Sequence, residues 1–373
     1  MHKIIVISVF FGFTVPFIFL TPYFDFYLVL LLILVSGCIC YSILLGTFIY
    51  PNIKTREYTY ISPPSILLVS IFIIYVVMRV DLVVGFYSAL INGSVLSFVM
   101  EQTQDRYGRT SGPGLVFQLG TISFFIFCGL FGRFSAVNKV KKIYMLLILF
   151  FIAGIEMSQS GRAGFIMGGA FFCSQYIISN KFNFNKLSYS KVITVVSLLL
   201  LFLLMLLAVV QFSRISHRSD AIYIVLSKLP GYTIRPHASL AQWLLDNKSF
   251  DYLLGFNTFG AIGKHLGLLP NIDGFYLQVT SPIGTTNIFT VLRSTLNDFG
   301  FLGFSILSFY LGLLMYKWSY VRINYFQYVA SSVILLLFLF PFISVFSYTT
   351  FLISFAVVMS ILYRYRKINY SSP

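Results

Sequence analysis

The sequence predicts an all-α, polytopic transmembrane bundle of about ten helices, and three observations predict it. With 58% hydrophobic and only 10% charged residues in a chain of 373, the apolar surface exceeds what a soluble particle of this size can hide. The mean hydropathy of +0.87 comes from repeated apolar runs, each about the length that crosses roughly 30 Å of hydrocarbon. The basic residues, finally, are sorted to one side of those runs.

In order along the chain, the runs place spans near 4–20, 27–49, 64–79, 115–132, 143–158, 162–179, 192–212, 287–316, 329–346 and 350–363. The first resembles a signal-peptide core, but Phe17 to Phe26 offers no small-residue cleavage site and the second span follows at once, so it reads as a retained anchor. Cys38, Cys40, Cys128 and Cys173 all fall inside spans, which points away from a disulfide framework or a zinc site. No internal repeat is visible. The whole of 1–373 therefore reads as a single transmembrane domain, with 213–286 as a large extracytoplasmic loop, a lid, between the seventh and eighth spans.

A cytoplasmic N-terminus puts Lys3, Lys54, Arg56, Arg133, Lys139, Lys141, Lys142, Lys181, Lys186, Lys191, Lys317, Arg322, Arg364, Arg366 and Lys367 in inner loops, against Glu57 alone. By the positive-inside rule both termini face the cytoplasm. The net charge of +15 is then a topological signal and not a nucleic-acid footprint. Inner loops are short, whereas 80–114 and 213–286 are long and face outward, so function is expected on the outer side. Leu240, Trp243, Leu244, Tyr252, Leu253 and Leu254 suggest short helices lying against the outer leaflet.

Three clusters can carry chemistry. The first is the corner Ser158-Gln159-Ser160-Gly161-Arg162, where the unpaired N–H groups and positive dipole end of the sixth span meet Arg162, an arrangement suited to phosphate. Snorkelling of Arg162 to headgroups is the plain alternative; Gly164 and Gly168 read as helix-packing positions. Glu156, one turn before Ser160, is a candidate base.

The second cluster is Arg293, Asn297, Asp298 and Gly300 at the head of the eighth span, where ionisable groups meet a ligand, a counter-charge or water. On an ideal helix Arg293, Asn297 and Gly300 share a stripe, while Asp298 points about 140° from Arg293. Arg293 and Asp298 are thus expected to meet different partners, or to form a polar seam between helices. The third is Arg214, His217, Arg218, Arg235, His237 and His265 in the outer loop, whose positive charge suits a pyrophosphate and whose His237 suits proton transfer. Taken singly, each also reads as a solvated loop residue. Absent are a Walker A loop, HEXXH, HX4D and GXSG motifs, which disfavours ATP-driven transport and intramembrane serine proteolysis.

The helix count, the SGR corner, the outer-loop segment GFNTFGAIGKHLG and the run TVLRSTLNDFGFLGFSILSFYLG resemble the bacterial O-antigen (oligosaccharide repeat-unit) polymerases, over about residues 60 to 316. The sharpest match is Arg293, Asp298, Gly300 and Gly303 in an "R, four residues, DFG, two residues, G" pattern. The resemblance implies a GT-C-like membrane glycosyltransferase architecture, with no cofactor and no catalytic metal. It implies transfer of a growing glycan from undecaprenyl pyrophosphate to a hydroxyl on the next lipid-linked repeat unit, at the outer face of the bacterial cytoplasmic membrane. A chain-length regulator is a partner on that reading, and the product is O-antigen, capsule or another envelope polysaccharide.

For such chemistry Arg162 and Arg293 would face the departing pyrophosphate, and Arg235, Arg214, Arg218, Ser160, Gly161 and Asn297 would seat substrate. His237, Glu156 and Asp298 are rivals for the base. Tyr232, Trp243, Tyr252, Phe256 and Tyr276 could stack on sugars. The other readings are a ligase using the same donor with a lipid A-core acceptor, a lipid-linked oligosaccharide flippase, and a purely structural membrane protein. A flippase would spread charge through the bilayer and often shows half-repeats; here charge crowds one face.

Overall fold

The computed structural model describes residues 1–49, 61–95, 114–141, 162–179, 234–246, 249–269, 279–286, 290–320, 324–341 and 344–365, with positions 97, 98, 101, 102, 144, 145, 147, 148, 152, 155, 156 and 223. The chain is mostly helical. Among the described residues three helices are long and apolar enough to cross a membrane, Phe26–Ile49, Leu115–Val137 and Val291–Ser319, or four if a bent pair is one span. That composition is consistent with a membrane helical protein. His2–Ile18, Gly164–Ser179, Tyr325–Leu339 and Thr349–Arg364 are apolar but shorter.

The chain forms two compact units. The first comprises Met1–Tyr58, Asn183–Ser197 and Pro230–Leu352; the second Thr59–Phe182, Leu198–Leu229 and Ile353–Pro373.

The first unit opens with α1 (His2–Ile18), which widens into a π-helical turn over Phe10–Thr14 just before Pro16. Pro16 has no N–H to return to the carbonyl four residues back, that of Gly12, and a π-turn is one way a helix absorbs such a defect. The second helix, α2 (Phe26–Ile49), starts where Asp25 Oδ1 accepts the amides of Tyr27 and Leu28 at 2.8 and 3.3 Å, a side-chain cap. It runs along α9 (Val291–Tyr320) in close contact, because Gly46 lies under the Tyr316 ring and Gly312 against Ser42, where side chains would overlap. The helix α10 (Tyr325–Leu339) begins with a capping box of Asn324 and Gln327.

Between α2 and α9 the chain supplies α7 (Arg235–Asp246), α8 (Gly260–His265) and a hairpin of β1 (Val279–Ser281) and β2 (Gly284–Thr286), paired Val279↔Thr286 and Thr280↔Thr285. The first part of α7, Pro236 to Ala241, is buried inside the unit. Of the residues expected against the outer leaflet, Leu240 is buried in protein, Trp243 and Leu244 are half-buried, and Tyr252 and Leu254 are exposed.

In the second unit α3 (Ser65–Met78) turns through 81° at Arg79 into α4 (Val80–Ile91). Residues 80–91 read as the start of an outward loop; they form an apolar helix instead, a broken span or a re-entrant segment. The next helix, α5 (Leu115–Val137), outruns its predicted end at 132, so Arg133 lies within it, buried, donating to the carbonyls of Ile61 at 3.1 Å and Tyr365 at 2.9 Å. It packs on α6 (Arg162–Ser179), with Gly129 against the Phe171 ring and Gly168 against Phe124, as expected of a packing glycine. The positions described within the predicted fifth span are helical, and 192–212 lies outside the described residues. The last helix, α11 (Thr349–Arg364), begins in the first unit and continues into the second.

Candidate functional site

In the first unit the site is organised by a break in α9. At Gly300 the backbone takes φ 63° and ψ −179°, left-handed space that a side chain resists, so the helix stops and restarts. The preceding residues turn this break into a staple. Asp298 Oδ1 accepts from the amide of Asn257 at 2.9 Å and from its Nδ2 at 3.1 Å, while Oδ2 accepts from the amide of Thr258 at 2.8 Å and its hydroxyl at 2.7 Å. Beside it, the Asn297 carbonyl accepts the Tyr252 amide at 2.9 Å, and its side chain bonds the amide and carboxylate of Asp251. Ser344 donates its hydroxyl to the Thr258 carbonyl.

Residues 251–258 are thus clamped to the break from one side. The clamp holds Tyr252 and Leu254 at φ 53° and 51°, conformations that cost non-glycine residues energy, with both side chains projecting outward at 59% and 80% exposure. A side chain at Gly300 would also meet the Tyr252 ring, with Cε1 at 3.1 Å.

One to two turns earlier on α9, the Arg293 guanidinium stands over the Trp243 ring of α7, 5.1 Å from its centroid. Trp243 contacts Phe250 at 6.2 Å between centroids, and Phe250 meets Phe301 edge-on at 5.6 Å. Arg293 and Asp298 therefore meet different elements. Arg235, at the head of α7, lies against Gly284 of the hairpin, whose missing side chain leaves room for the guanidinium; its Nε is enclosed with no hydrogen-bond partner among the described residues.

His237 is fully buried, and its Nε2 donates to the Gly12 carbonyl at 2.8 Å, at the place where Pro16 weakens α1. A carbonyl only accepts, so this nitrogen carries the hydrogen. The rings of Phe13 and Phe17 stand edge-on around it, at 6.2 and 4.9 Å. Through this bond His237, expected to meet substrate, docks α7 on α1.

Behind the clamped loop lies a cavity of about 420 Å³, walled by α1, the loop, both halves of α9 and α10, through Phe13, Phe256, Phe259, Leu292, Leu307 and Phe338. Its few polar side chains are Thr258, Thr295 and Ser308.

The second unit holds its own polar cluster. Arg79, at the α3–α4 bend and 3% exposed, lies in a notch left by Gly120, donates Nη2 to Thr121 Oγ1 at 2.7 Å and stacks over the Phe117 ring at 4.0 Å. One turn back, the Tyr75 hydroxyl donates to Glu156 Oε1 at 3.0 Å. Glu156 is 4% exposed and lies within the electrostatic reach of Arg79. Its Oε2 faces the first turn of α6, 3.5 Å from where a side chain on Gly164 would begin.

Of the residues expected at a site, Arg293, Asn297, Asp298, Arg235 and His237 are all in the first unit, where Arg293 reaches the helix that carries Arg235 and His237. Glu156 is in the second, with Arg162 at the head of α6. Ser160, Gly161, Arg214, His217 and Arg218 lie outside the described residues, as do Tyr232 and Tyr276. His265 is exposed, and its Nε2 is 3.3 Å from the Thr349 hydroxyl. Arg79, Tyr75 and Thr121 escaped the sequence reading; the available signal was an arginine flanked by apolar runs. Among the described residues no group of three His, Cys, Asp or Glu side chains gathers to hold a metal. Comparison with protein-family models, with curated proteins and with solved structures finds no match to this chain.

Proposed function

We propose that the protein is a membrane glycosyltransferase that polymerises undecaprenyl-pyrophosphate-linked oligosaccharide repeat units into O-antigen or a related surface polysaccharide. On this reading the chain is a bundle of about ten spans in the bacterial cytoplasmic membrane, with both termini inside and the active face outside. The observation that carries the proposal is Arg293, held over Trp243 on the approach to the Asp298–Gly300 break. These residues are also the ones in which the resemblance to repeat-unit polymerases is sharpest.

The geometry supports this reading. A pyrophosphate leaving group gathers negative charge as the anomeric bond breaks, and a fixed guanidinium stabilises that charge most when its position is set beforehand. Stacking on Trp243 sets it for Arg293. Arg235, enclosed beside the hairpin, adds a second cation in the same unit. Asp298 serves here as the loop anchor, since four donors already occupy its two oxygens. The exposed Tyr252 offers a sugar a ring face at the clamped loop.

Deletion of the gene followed by electrophoresis of surface and lipid-linked glycans tests the proposal. A single-repeat product is expected. Free polymer that never reaches its lipid anchor would instead indicate a ligase, and lipid-linked units trapped inside a flippase.

A further inference from the structure

A hydroxyl buried in protein normally finds a hydrogen-bond partner, and in a helix that partner is usually a carbonyl of the turn before. In the first unit the buried Ser36, Ser42 and Ser332 follow this rule, each donating to a carbonyl of its own helix. Ser239 and Thr290 do not. Ser239 of α7 and Thr290, the residue that leads into α9, are 0% and 1% exposed, and their hydroxyls have no hydrogen-bond partner among the described residues. Thr290 stands where a threonine would ordinarily cap a helix, its carbonyl accepting the Arg293 amide at 3.0 Å, yet its hydroxyl is not used as a cap.

Both hydroxyls belong to elements that already carry the cations of this unit. Arg235, Ser239 and Trp243 follow at four-residue steps on α7, each offset by only about 40° from the one before, so they share a stripe that faces away from His237 and its contact with α1. The first lies against Gly284 of the hairpin with its Nε enclosed, and the last carries the Arg293 guanidinium over its ring, 5.1 Å from the centroid. Along the stripe, Ser239 therefore lies between two guanidinium groups. Thr290 comes less than one turn before Arg293, at the positive end of α9. The described carboxylates of the unit are engaged elsewhere: Asp25 caps α2, Asp246 accepts from Gln242, and Asp251 and Asp298 hold the clamped loop.

We infer that Ser239 and Thr290 complete, with Arg235 and Arg293, a seat for a diphosphate group, the two hydroxyls donating to phosphate oxygens whose charge the guanidinium groups offset. The choice of a diphosphate rests on the glycosyl-transfer reading above. A guanidinium presents paired N–H groups that match phosphate, and each hydroxyl adds one directional donor. The task of Ser239 and Thr290 is binding, and no proton moves to or from them. A buried hydroxyl that bonds nothing destabilises the free protein, and a ligand that accepts from it recovers that loss.

The test reads binding and folding separately on purified full-length protein in detergent. Undecaprenyl pyrophosphate and inorganic pyrophosphate are titrated into wild type, Ser239→Ala and Thr290→Val, and the Tm of each free protein is recorded. Each substitution removes a hydroxyl without a partner in the protein, so Tm should be unchanged or higher, while Kd for the diphosphate rises about 10–10²-fold, the effect of losing one hydrogen bond to a charged group. Thr290→Ser keeps the hydroxyl and should bind as wild type does. Tighter binding of the lipid than of the inorganic ion assigns the seat to a lipid headgroup, and equal binding assigns it to free diphosphate. Wild-type Kd in both hydroxyl-free variants overturns the inference, as does a lower Tm in both, which would mean that the hydroxyls bond within the protein, or failure of the wild type to bind either ligand. The transfer reading fails separately: protein that binds diphosphate through these hydroxyls yet extends no lipid-linked repeat unit keeps the seat and loses the polymerase, whereas an active polymerase with unaltered binding in both variants keeps the polymerase and loses the seat.

Discussion

Replacing Asp298 with asparagine keeps size and shape but turns one of its two oxygens into a donor. Oδ1 faces the Asn257 amide and Nδ2, and Oδ2 faces the Thr258 amide and hydroxyl, so either orientation of the new amide sets its NH2 against a backbone N–H. That backbone bond is lost, whereas the Thr258 hydroxyl can turn, or the Asn257 side chain flip, to accept from the new NH2. A hydrogen bond to a charged group contributes about 1.5–3 kcal/mol, which sets the size of the loss. Because all four bonds converge on two adjacent loop residues, the cost falls on loop attachment first, and the helices of the unit keep their packing. Hydrogen–deuterium exchange on purified protein in detergent reads this directly. A loss of that size should speed exchange at the Asn257 and Thr258 amides on the order of 10–10²-fold, with the amides of α2 unchanged. Wild-type exchange at 257 and 258 would refute the staple. Uniform acceleration throughout the unit would refute its local character.

Gly300→Ala adds a side chain where φ is 63° and the Tyr252 ring is in the way, so a destabilisation of about 1–3 kcal/mol and a lower Tm are expected; an unchanged Tm would mean the break is not held in that geometry. His237→Leu leaves the Gly12 carbonyl without its donor and should cost about 1–3 kcal/mol in thermal unfolding, yet polymer should still form at permissive temperature; total inactivity at normal protein level would return His237 to the chemistry. Arg293→Ala should lower kcat by about 10²–10³-fold with normal protein level, and normal chain lengths would remove it from the site. A reporter fused after Lys248 should appear outside the cell, and a cytoplasmic signal would overturn the predicted topology.

Much of the helical framework was legible from the chain because hydrocarbon length is a local property. The apolar runs at 27–49, 115–132 and 287–316 became α2, α5 and α9 with modest shifts at their ends. The break at Gly300 was not legible. An ideal-helix stripe through Arg293, Asn297 and Gly300 assumes continuous winding, while the observed φ is maintained by bonds to residues 40 to 46 positions earlier. For the same reason Asp298 read as a rival base: sequence shows a carboxylate near a membrane, but not the donors that fill it. His237 and Gly12 are 225 residues apart, and only Pro16 hinted that a carbonyl in α1 would need an outside donor. Arg79 escaped the sequence reading because its notch, Gly120, is on another helix.

The most direct measurement of the central claim is reconstitution of the purified protein in lipid vesicles with its undecaprenyl-pyrophosphate-linked repeat unit, followed by gel separation of the products. A ladder of increasing repeat number that disappears with Arg293→Ala is expected. Repeat units recovered unextended from active, correctly inserted wild-type protein would contradict it.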